Sequence, residues 1–372
     1  MKELLLKIAT LIYGAAIKLR HVLFDINLLR SEKFDIPIIC VGNITVGGTG
    51  KTPTVEMLVE HYSQSYNVAI LSRGYGRISK GYRVVNADDN YRQVGDEPLQ
   101  MKLKFPNAVV VVCEKRTFAI HRIREEFPDV DMIIMDDGFQ HRYVEALVNI
   151  VIEDFSRPIE HDNLLPYGQL RDTKSSLYRA NYFIVTKCPD SMKPINMRER
   201  RNWLIKKASQ EIFFSRVKPE QPRPVFAGVD ATVAPGAKVI AMAGLGDNDA
   251  YYKELSQRYE VVATLDFEDH HIYRMSDLKR MVDTLEEHPD AVIMTTEKDA
   301  VKLANSSAIT GKVRSKMFYE RIVMYFVEQN VTDLFDRIDC DIAGWRRMNN
   351  RKNSKSDGSY IRGLYSNSEG DK

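Results

Sequence analysis

The sequence predicts an α/β fold in two domains, and three observations lead to this prediction. The chain has 372 residues, which exceeds the size that a single hydrophobic core usually serves. Apolar, β-branched runs alternate with helical patterns, and their continuous hydrophobicity is typical of parallel strands buried on both faces. The composition changes at residues 211–225, where Pro219, Pro222 and Pro224 follow an aromatic run, and this change predicts a linker.

The predicted fold divides the chain into four consecutive parts. We expect residues 1–30 to form an amphipathic membrane-associated helix, residues 31–210 a first domain, and residues 211–345 the linker and a second, smaller α/β domain. Residues 346–372 are polar and basic with little apolar content, which predicts a disordered tail. The predicted strands are residues 38–44, 68–72, 108–112, 131–135, 147–152 and 182–186 in the first domain and 238–244, 261–267, 291–295 and 322–327 in the second.

The first 30 residues predict a helix that lies flat on a membrane surface. Their longest uncharged apolar run, residues 8–17, is far shorter than the roughly 20 residues that span a bilayer. Lys2, Lys7, Lys18 and Arg20 flank this run and are placed to reach anionic headgroups while the apolar side contacts lipid. A helix that simply packs on the protein core is the alternative interpretation.

A glycine-rich turn between the first predicted strand and an amphipathic segment predicts a phosphate-binding loop. The glycines allow backbone N–H groups to converge on a polyphosphate, and the N-terminus of the following helix adds partial positive charge. In this pattern Lys51 contacts the β- and γ-phosphates and the Thr52 hydroxyl ligates Mg²⁺. Because Thr45 replaces the usual first glycine, a surface turn is the alternative. The turn comprises Thr45, Val46, Gly47, Gly48, Thr49, Gly50, Lys51 and Thr52.

Together with the strand pattern, this loop predicts a P-loop NTPase-like first domain with a mainly parallel sheet. The run at residues 131–135 ends in Asp136 and Asp137. In phosphate-loop enzymes a strand-end aspartate orients Mg²⁺ or its water shell, and open α/β sheets bind ligands at the carboxyl ends of their strands. We therefore interpret the pair as a metal site, with a plain turn as the alternative. Which of the two carboxylates ligates the ion stays open.

Three further clusters contain residue types that suit phosphate chemistry. Asp96, in a loop before a helical stretch, is either a helix cap or the base of a phosphoryl transfer. His270 follows a strand of the second domain and either poises a carboxylate, contacts a phosphate or lies in a surface loop. Arg73 and Arg77 surround flexible glycines, which suits a phosphate or a polar headgroup as well as a solvated loop.

The overall charge and the cysteine spacing argue against some kinds of binding partner and site. The formal net charge of +2 argues against a general nucleic-acid binder. The four cysteines have no C-x-x-C spacing, so neither a zinc site nor a disulfide framework is indicated. This composition is typical of a protein in a reducing cytosol.

In their order along the chain, these motifs resemble the tetraacyldisaccharide 4′-kinase family, the lipid A 4′-kinases of Gram-negative envelopes. The resemblance extends from the N-terminal helix to about residue 330 and rests on VGNITVGGTGKTP, SRGYGR, VGDEP, MDDGFQH, LPYGQLRD, DHH and TTEKDAVK. It implies transfer of the ATP γ-phosphoryl group to the 4′-hydroxyl of a tetraacylated glucosamine disaccharide 1-phosphate. It also implies a peripheral or monotopic location at the cytoplasmic face of the inner membrane, with ATP and Mg²⁺ as cofactors.

The resemblance also implies roles for individual residues. Thr45 through Thr52 match the family's phosphate loop, so the missing first glycine is the family's own pattern. Asp136 and Asp137 match its aspartate pair, and Asp96 matches its proposed base, with His270 as the histidine partner. Lys51, Asp96 and His270 are thus the expected catalytic residues.

Substrate contacts are less defined by the resemblance. Arg73, Arg77 and Arg171 are the candidates. In the motif that contains Arg171, Tyr167 and Gln169 stand where relatives often have small residues or proline.

A membrane-bound nucleotide switch, either a GTPase or a deviant phosphate-loop ATPase, is the alternative function. Proteins of the deviant type carry a signature lysine where this chain has Val46. Guanine recognition requires N-K-x-D, and the nearest match, at residues 186–189, lacks both the asparagine and the aspartate.

Overall fold

The computed structural model describes residues 1–304, 306, 308–309, 311–327 and 331–365. Its helices are α1 (Lys2–Asp25), α2 (Lys51–Tyr62), α3 (Tyr91–Val94), α4 (Asp96–Lys104), α5 (Arg116–Glu126), α6 (Pro194–Leu204), α7 (Asn248–Leu255), α8 (Met275–Glu287), α9 (Glu297–Ala304), α10 (Gly311–Ser315) and α11 (Val331–Tyr365). Its strands are β1 (Ile38–Gly42), β2 (Val68–Ser72), β3 (Arg83–Val84), β4 (Val109–Val112), β5 (Met132–Met135), β6 (Val148–Asp154), β7 (Tyr182–Thr186), β8 (Glu211–Pro219), β9 (Arg223–Pro224), β10 (Lys238–Ala243), β11 (Glu260–Asp266), β12 (Val292–Thr296), β13 (Met317–Glu320) and β14 (Ile322–Phe326).

The first domain is built on a nine-stranded sheet with the order β14-β8-β7-β6-β1-β5-β2-β4-β3. Pairing from β8 to β4 is parallel, and the two outermost strands, β14 and β3, pair antiparallel with their neighbours. All five residues of β1 are buried, as are all five of β2. The predicted mostly parallel α/β sheet is therefore confirmed, and its hydrophobic strands are covered on both faces.

The second domain has a five-stranded sheet with the order β11-β10-β12-β13-β9. Its first four strands are parallel, and the short β9 pairs antiparallel with β13. Helices α4 and α9 form a contact between the domains. Because the loop after β11 and the start of α9 lie at the carboxyl ends of parallel strands, their polar side chains meet at one edge of this sheet.

The structure differs from the sequence prediction at residues 211–225 and 322–327. The first part of the predicted linker is β8, which pairs parallel with β7. The last strand predicted for the second domain is β14, which returns to the first sheet and pairs antiparallel with β8. The physical reason is that an apolar strand pattern reports burial but does not specify which sheet supplies the neighbouring strand.

The C-terminal region also differs from the prediction. The helix α11 extends to Tyr365, so residues 346–365 are helical where a disordered tail was predicted. Its first turns pack on the first domain through Leu334, Phe335 and Ile338. Residues 366–372, the rest of the predicted tail, lie outside the described residues.

The N-terminal helix α1 lies on the first domain through several polar contacts and through the buried ring of Phe24, which packs on Tyr143. Tyr13 donates a hydrogen bond to the Arg171 carbonyl at 3.0 Å, and His21 Nε2 lies 2.6 Å from Asp172 Oδ1. Many large apolar side chains of the helix are exposed, among them Leu4, Leu5, Ile8, Leu11, Ile12, Leu19 and Val22. Within the described ranges, no helix combines the length and the apolar character that crossing a bilayer requires.

Candidate active site

The glycine-rich turn connects β1 to α2 at the centre of the first sheet. Gly47 and Gly50 have φ values of 91° and 94°, in the left-handed region that favours glycine. At Gly50 a side chain would also be crowded, because an added Cβ would lie 3.1 Å from Thr186 Cγ2. The sequence-predicted loop therefore has a backbone that only glycine adopts without strain at these two positions.

Hydrogen bonds from neighbouring elements hold this loop in place. Asn43 Nδ2 donates to Thr49 Oγ1 at 2.6 Å, and Thr186 Oγ1 donates to the Thr49 carbonyl at 2.7 Å. Lys187 Nζ donates to the Gly48 carbonyl at 2.7 Å. These contacts leave the loop preorganised, so less ordering is required when an anion binds.

The two strand-end aspartates lie beside the loop because β5 pairs with β1. Asp136 is buried and accepts a hydrogen bond from Ser72 Oγ at 3.2 Å. Asp137, with a φ of 50°, accepts two hydrogen bonds from the Arg171 guanidinium. Lys51 Nζ is 3.8 Å from Asp137 Oδ1. The structure thus brings together Lys51 and both aspartates, as the sequence predicted.

The environments of the two carboxyl groups drive their pKa values apart. Burial, together with the charges of Glu97 and Asp137, raises the pKa of Asp136 to about 7. Burial also opposes ionisation of Asp137, but the Arg171 hydrogen bonds and the Lys51 charge lower its pKa to about 2. Asp136 is therefore a buried carboxyl group with too little positive charge nearby, and a divalent cation would supply it.

The donor set at this edge fits Mg²⁺. No cluster of three or more His, Cys, Asp or Glu side chains arranged for a metal occurs among the residues that the structure describes. Mg²⁺ commonly binds through one or two carboxylates together with substrate phosphates and water, so it does not need such a cluster. Asp136, Asp137 and Thr52 carry hard oxygen atoms of this kind, and both Asp137 oxygens also accept from Arg171.

Asp96 and His270 come from different domains and meet between them. Asp96 is the first residue of α4, and His270 lies in the loop after β11 with a φ of 58°. His270 Nδ1 is 3.0 Å from Asp96 Oδ2, while Asp96 Oδ1 accepts a hydrogen bond from the backbone N–H of Glu97 at 2.9 Å. The N-cap of α4 is Gly95, and the helix has no side-chain cap hydrogen bond, so the cap alternative for Asp96 is wrong. Asp96 instead contacts the histidine across the interface.

The sequence analysis missed three charged residues around this pair. Glu97 is close enough to Lys51 and Asp136 for their charges to affect its pKa, which burial raises. Lys298 and Lys302 of α9 place their ammonium groups 3.7 Å and 3.6 Å from Asp96 Oδ2. Their spacing of four residues, which puts both on one face of a helix, was a usable signal in the TTEKDAVK motif.

The three arginines predicted to contact the substrate differ in their hydrogen-bond partners and in their exposure. Arg77 is engaged within its own region, since it donates to Glu114 at 2.7 Å and to Ser79 at 3.2 Å. Arg171 holds Asp137 and the side chain of Asn43, so it belongs to the phosphate-loop site. Arg73 is exposed after β2. Of the three, Arg73 is the most exposed, while 24% of the Arg171 side chain is also accessible to solvent.

Comparisons with known proteins agree with this arrangement. The sequence profile of the tetraacyldisaccharide-1-P 4′-kinase family matches residues 2–338. A tetraacyldisaccharide 4′-kinase of Porphyromonas gingivalis is 38% identical over 327 residues, which are 84% of this chain and 90% of the relative. One from Bacteroides thetaiotaomicron is 34% identical over 362 residues, covering 93% and 94% of the two chains.

A solved structure leads to the same family. It is LpxK from Aquifex aeolicus, described as an "apo" form in complex with ATP, and it superposes with a TM-score of 0.71 at 26% identity. The match covers 92% of this chain and 99% of the other. The family profile matches most of the chain, and the relatives from Porphyromonas gingivalis and Bacteroides thetaiotaomicron are 38% and 34% identical to it over most of their length. The chain therefore belongs to the tetraacyldisaccharide-1-P 4′-kinase family.

Proposed function

We propose that this protein transfers the γ-phosphoryl group of ATP to the 4′-hydroxyl of a tetraacylated glucosamine disaccharide 1-phosphate, in lipid A biosynthesis. Its family membership supports this function, as does the ATP in the LpxK structure. The observation that carries the proposal is the 3.0 Å contact between Asp96 and His270. It places a proton-accepting pair beside Glu97, whose carboxylate is within electrostatic reach of Lys51 in the phosphate loop.

The phosphate loop would bind the triphosphate. The Val46 N–H donates to the Gln169 carbonyl at 2.9 Å, so the backbone N–H groups from Gly47 to Gly50 would be the donors to the triphosphate. The N-terminus of α2 adds partial positive charge. Lys51 then neutralises charge on the transferring group, which matters because catalysis of phosphoryl transfer is mostly positioning and electrostatic stabilisation.

Thr52, Asp136 and Asp137 would hold Mg²⁺. The ion would supply positive charge against the β- and γ-phosphate oxygens. The contribution of this chain is the geometry of the oxygen ligands: Ser72 orients Asp136 and Arg171 orients Asp137. Arg171 therefore acts through Asp137 in this assignment, and Arg73 is the candidate for contact with the acceptor.

The Asp96–His270 pair would take up the proton of the attacking hydroxyl. The two residues belong to different domains, so the pair is complete only when the domains are in contact. Contact between the domains would also exclude water, which is the competing nucleophile in phosphoryl transfer.

The exposed apolar side chains of α1 would place the protein on the cytoplasmic face of the inner membrane. The acyl chains of the acceptor stay in the bilayer, and a helix that lies in the interface brings the site to the headgroup. The proposed partners are therefore the lipid acceptor and the inner-leaflet surface, with no nucleic acid.

Replacing Leu11, Ile12 and Leu19 together by glutamine is expected to release the protein from vesicles. These side chains are exposed, so the change removes apolar area that would contact lipid without opening the core. At roughly 1 kcal/mol or more for each side chain, binding should weaken about 100-fold. Vesicle flotation measures this loss of binding.

The matched control replaces three exposed apolar residues elsewhere, Phe118, Ile195 and Met275, by glutamine. This control should float with the vesicles as the parent protein does. Equal flotation of both triple variants would locate the membrane contact outside α1.

Purified protein with γ-labelled ATP, with and without the acylated disaccharide, tests the function directly. Label in the lipid fraction, dependent on the acceptor, is the expected result. Acceptor-independent hydrolysis with a preference for GTP would instead support the nucleotide switch and overturn the kinase proposal.

A further inference from the structure

Two lysines of the second domain approach the catalytic aspartate of the first. Lys298 and Lys302 lie on one face of α9, and their ammonium groups are 3.7 Å and 3.6 Å from Asp96 Oδ2. Their side chains are 15% and 1% exposed. Burying an ammonium group is unfavourable unless it is paired. Each lysine is paired with an aspartate of its own domain, Asp269 or Asp299, and both also lie beside the carboxylate of Asp96.

Lys302 is fixed by a hydrogen-bonded network within its own domain. It donates to Asp299 Oδ1 at 3.0 Å. Asp299 Oδ2 in turn accepts from the Gly244 backbone N–H and from Thr296 Oγ1, both at 2.8 Å. The ammonium group of Lys302 is therefore held against Asp96 by groups from the ends of β10 and β12.

Lys298 lies between Asp96 and the loop that contains Asp269 and His270. It donates to Asp269 Oδ1 at 2.9 Å, and its Nζ lies 3.4 Å from His270 Nε2. An ammonium group has donors only. A ring nitrogen that accepts from it must therefore carry a lone pair, which puts the proton of a neutral His270 on Nδ1, where it donates to Asp96.

The charges around the pair make Asp96 and His270 differ in how readily each accepts a proton. Burial opposes the charge on Asp96, but the His270 hydrogen bond and the ammonium groups of Lys298 and Lys302 hold the pKa of Asp96 below its usual range. The hydrogen bond to Asp96 raises the pKa of His270, while burial and Lys298 lower it and Asp269 raises it. The imidazole is thus the better proton acceptor near neutral pH.

We propose that Lys298 and Lys302 are positioning residues for the Asp96–His270 pair, which hold Asp96 as a carboxylate and direct the basic lone pair of His270 to Nε2. This inference rests on the proposed kinase function. In the transfer step the substrate hydroxyl replaces the Lys298 ammonium group, 3.4 Å away in the structure, as the partner of Nε2. The hydroxyl O–H bond then breaks and its proton goes to Nε2. The oxygen–phosphorus bond to the γ-phosphoryl group forms as the bond to the bridging oxygen breaks, and its electrons leave with ADP.

The first test is the pH profile of kcat/KM for Lys298→Met. The acidic limb reports loss of a proton from the base, because a protonated imidazole cannot accept another. Removing an adjacent positive charge raises the pKa of His270, so the limb should move to higher pH by about 1 unit. Lys298→Arg keeps the charge and should return the limb towards the parent position.

Two further variants make this test specific. Lys279→Met removes an exposed lysine of α8 in the same domain and should leave the profile unchanged. Lys302→Met should lower kcat by roughly 10-fold or more while the KM for ATP stays the same, because the aspartate loses a cation that orients it. A Lys298→Met profile that superposes on the parent profile would overturn the proposal, whether or not Lys302→Met folds.

The second test needs no kinase activity. Nitrogen-15 NMR of the histidine-labelled protein without substrates, with the His270 signals identified by their loss in His270→Gln, determines the tautomer. The expected result is a proton on Nδ1 and a lone pair on Nε2. A proton on Nε2 of the neutral ring would contradict the inference. A parent protein with the expected tautomer but no transfer of label to lipid would instead refute the proposed function.

Discussion

Asp96→Asn is expected to lower kcat by ~10²–10⁴-fold, the range that general acid–base catalysis contributes. The substitution keeps the shape of the side chain but removes the charge that orients His270 and stabilises it when it is protonated. ATP affinity should stay close to that of the parent protein, because the Asp96 carboxylate contacts Glu97, His270 and the two α9 lysines rather than the phosphate loop. Steady-state kinetics with labelled ATP, together with nucleotide binding by calorimetry, measures both quantities.

Asp88→Asn is the matched control for this substitution. Asp88 is an exposed carboxylate a few residues before the same helix, so its replacement should leave kcat unchanged. An Asp96→Asn protein that folds, binds ATP and turns over at the parent rate would remove Asp96 from the chemistry.

Lys51→Ala is expected to lower kcat/KM by ~10²–10³-fold, comparable with the loss of one preorganised donor to a developing charge. The lysine begins α2 directly after the turn and lies 3.8 Å from Asp137, at the edge where the γ-phosphate would lie. Its loss removes positive charge from the transferring group, so kcat should fall as well as ATP affinity.

Lys80→Ala provides the comparison, because Lys80 is an exposed lysine in a loop of the same domain. It should keep parent kinetics. Near-parent turnover of Lys51→Ala at saturating ATP would show that the lysine contributes only to ground-state binding.

Features that depend on neighbouring residues in the chain could be predicted from the sequence. The glycine-rich turn between β1 and α2 is one, because positive φ values and close backbone approach restrict Gly47 and Gly50 within a few residues. The aspartates at the end of β5 are another, since parallel strands present their carboxyl ends at one edge of a sheet. The mostly parallel α/β fold follows from local periodicity, and both features follow from residue types that are close together in the sequence.

Contacts between distant parts of the chain were decided by the folded structure. Asp96 and His270 are 174 positions apart, and their pairing was expected only from the family resemblance. The two lysines of α9 became meaningful only when the domain contact placed them on Asp96. The return of β14 to the first sheet was likewise not predicted. Periodicity identifies which faces of helices and strands are buried, whereas the partner of each face depends on tertiary packing of segments that are far apart in sequence.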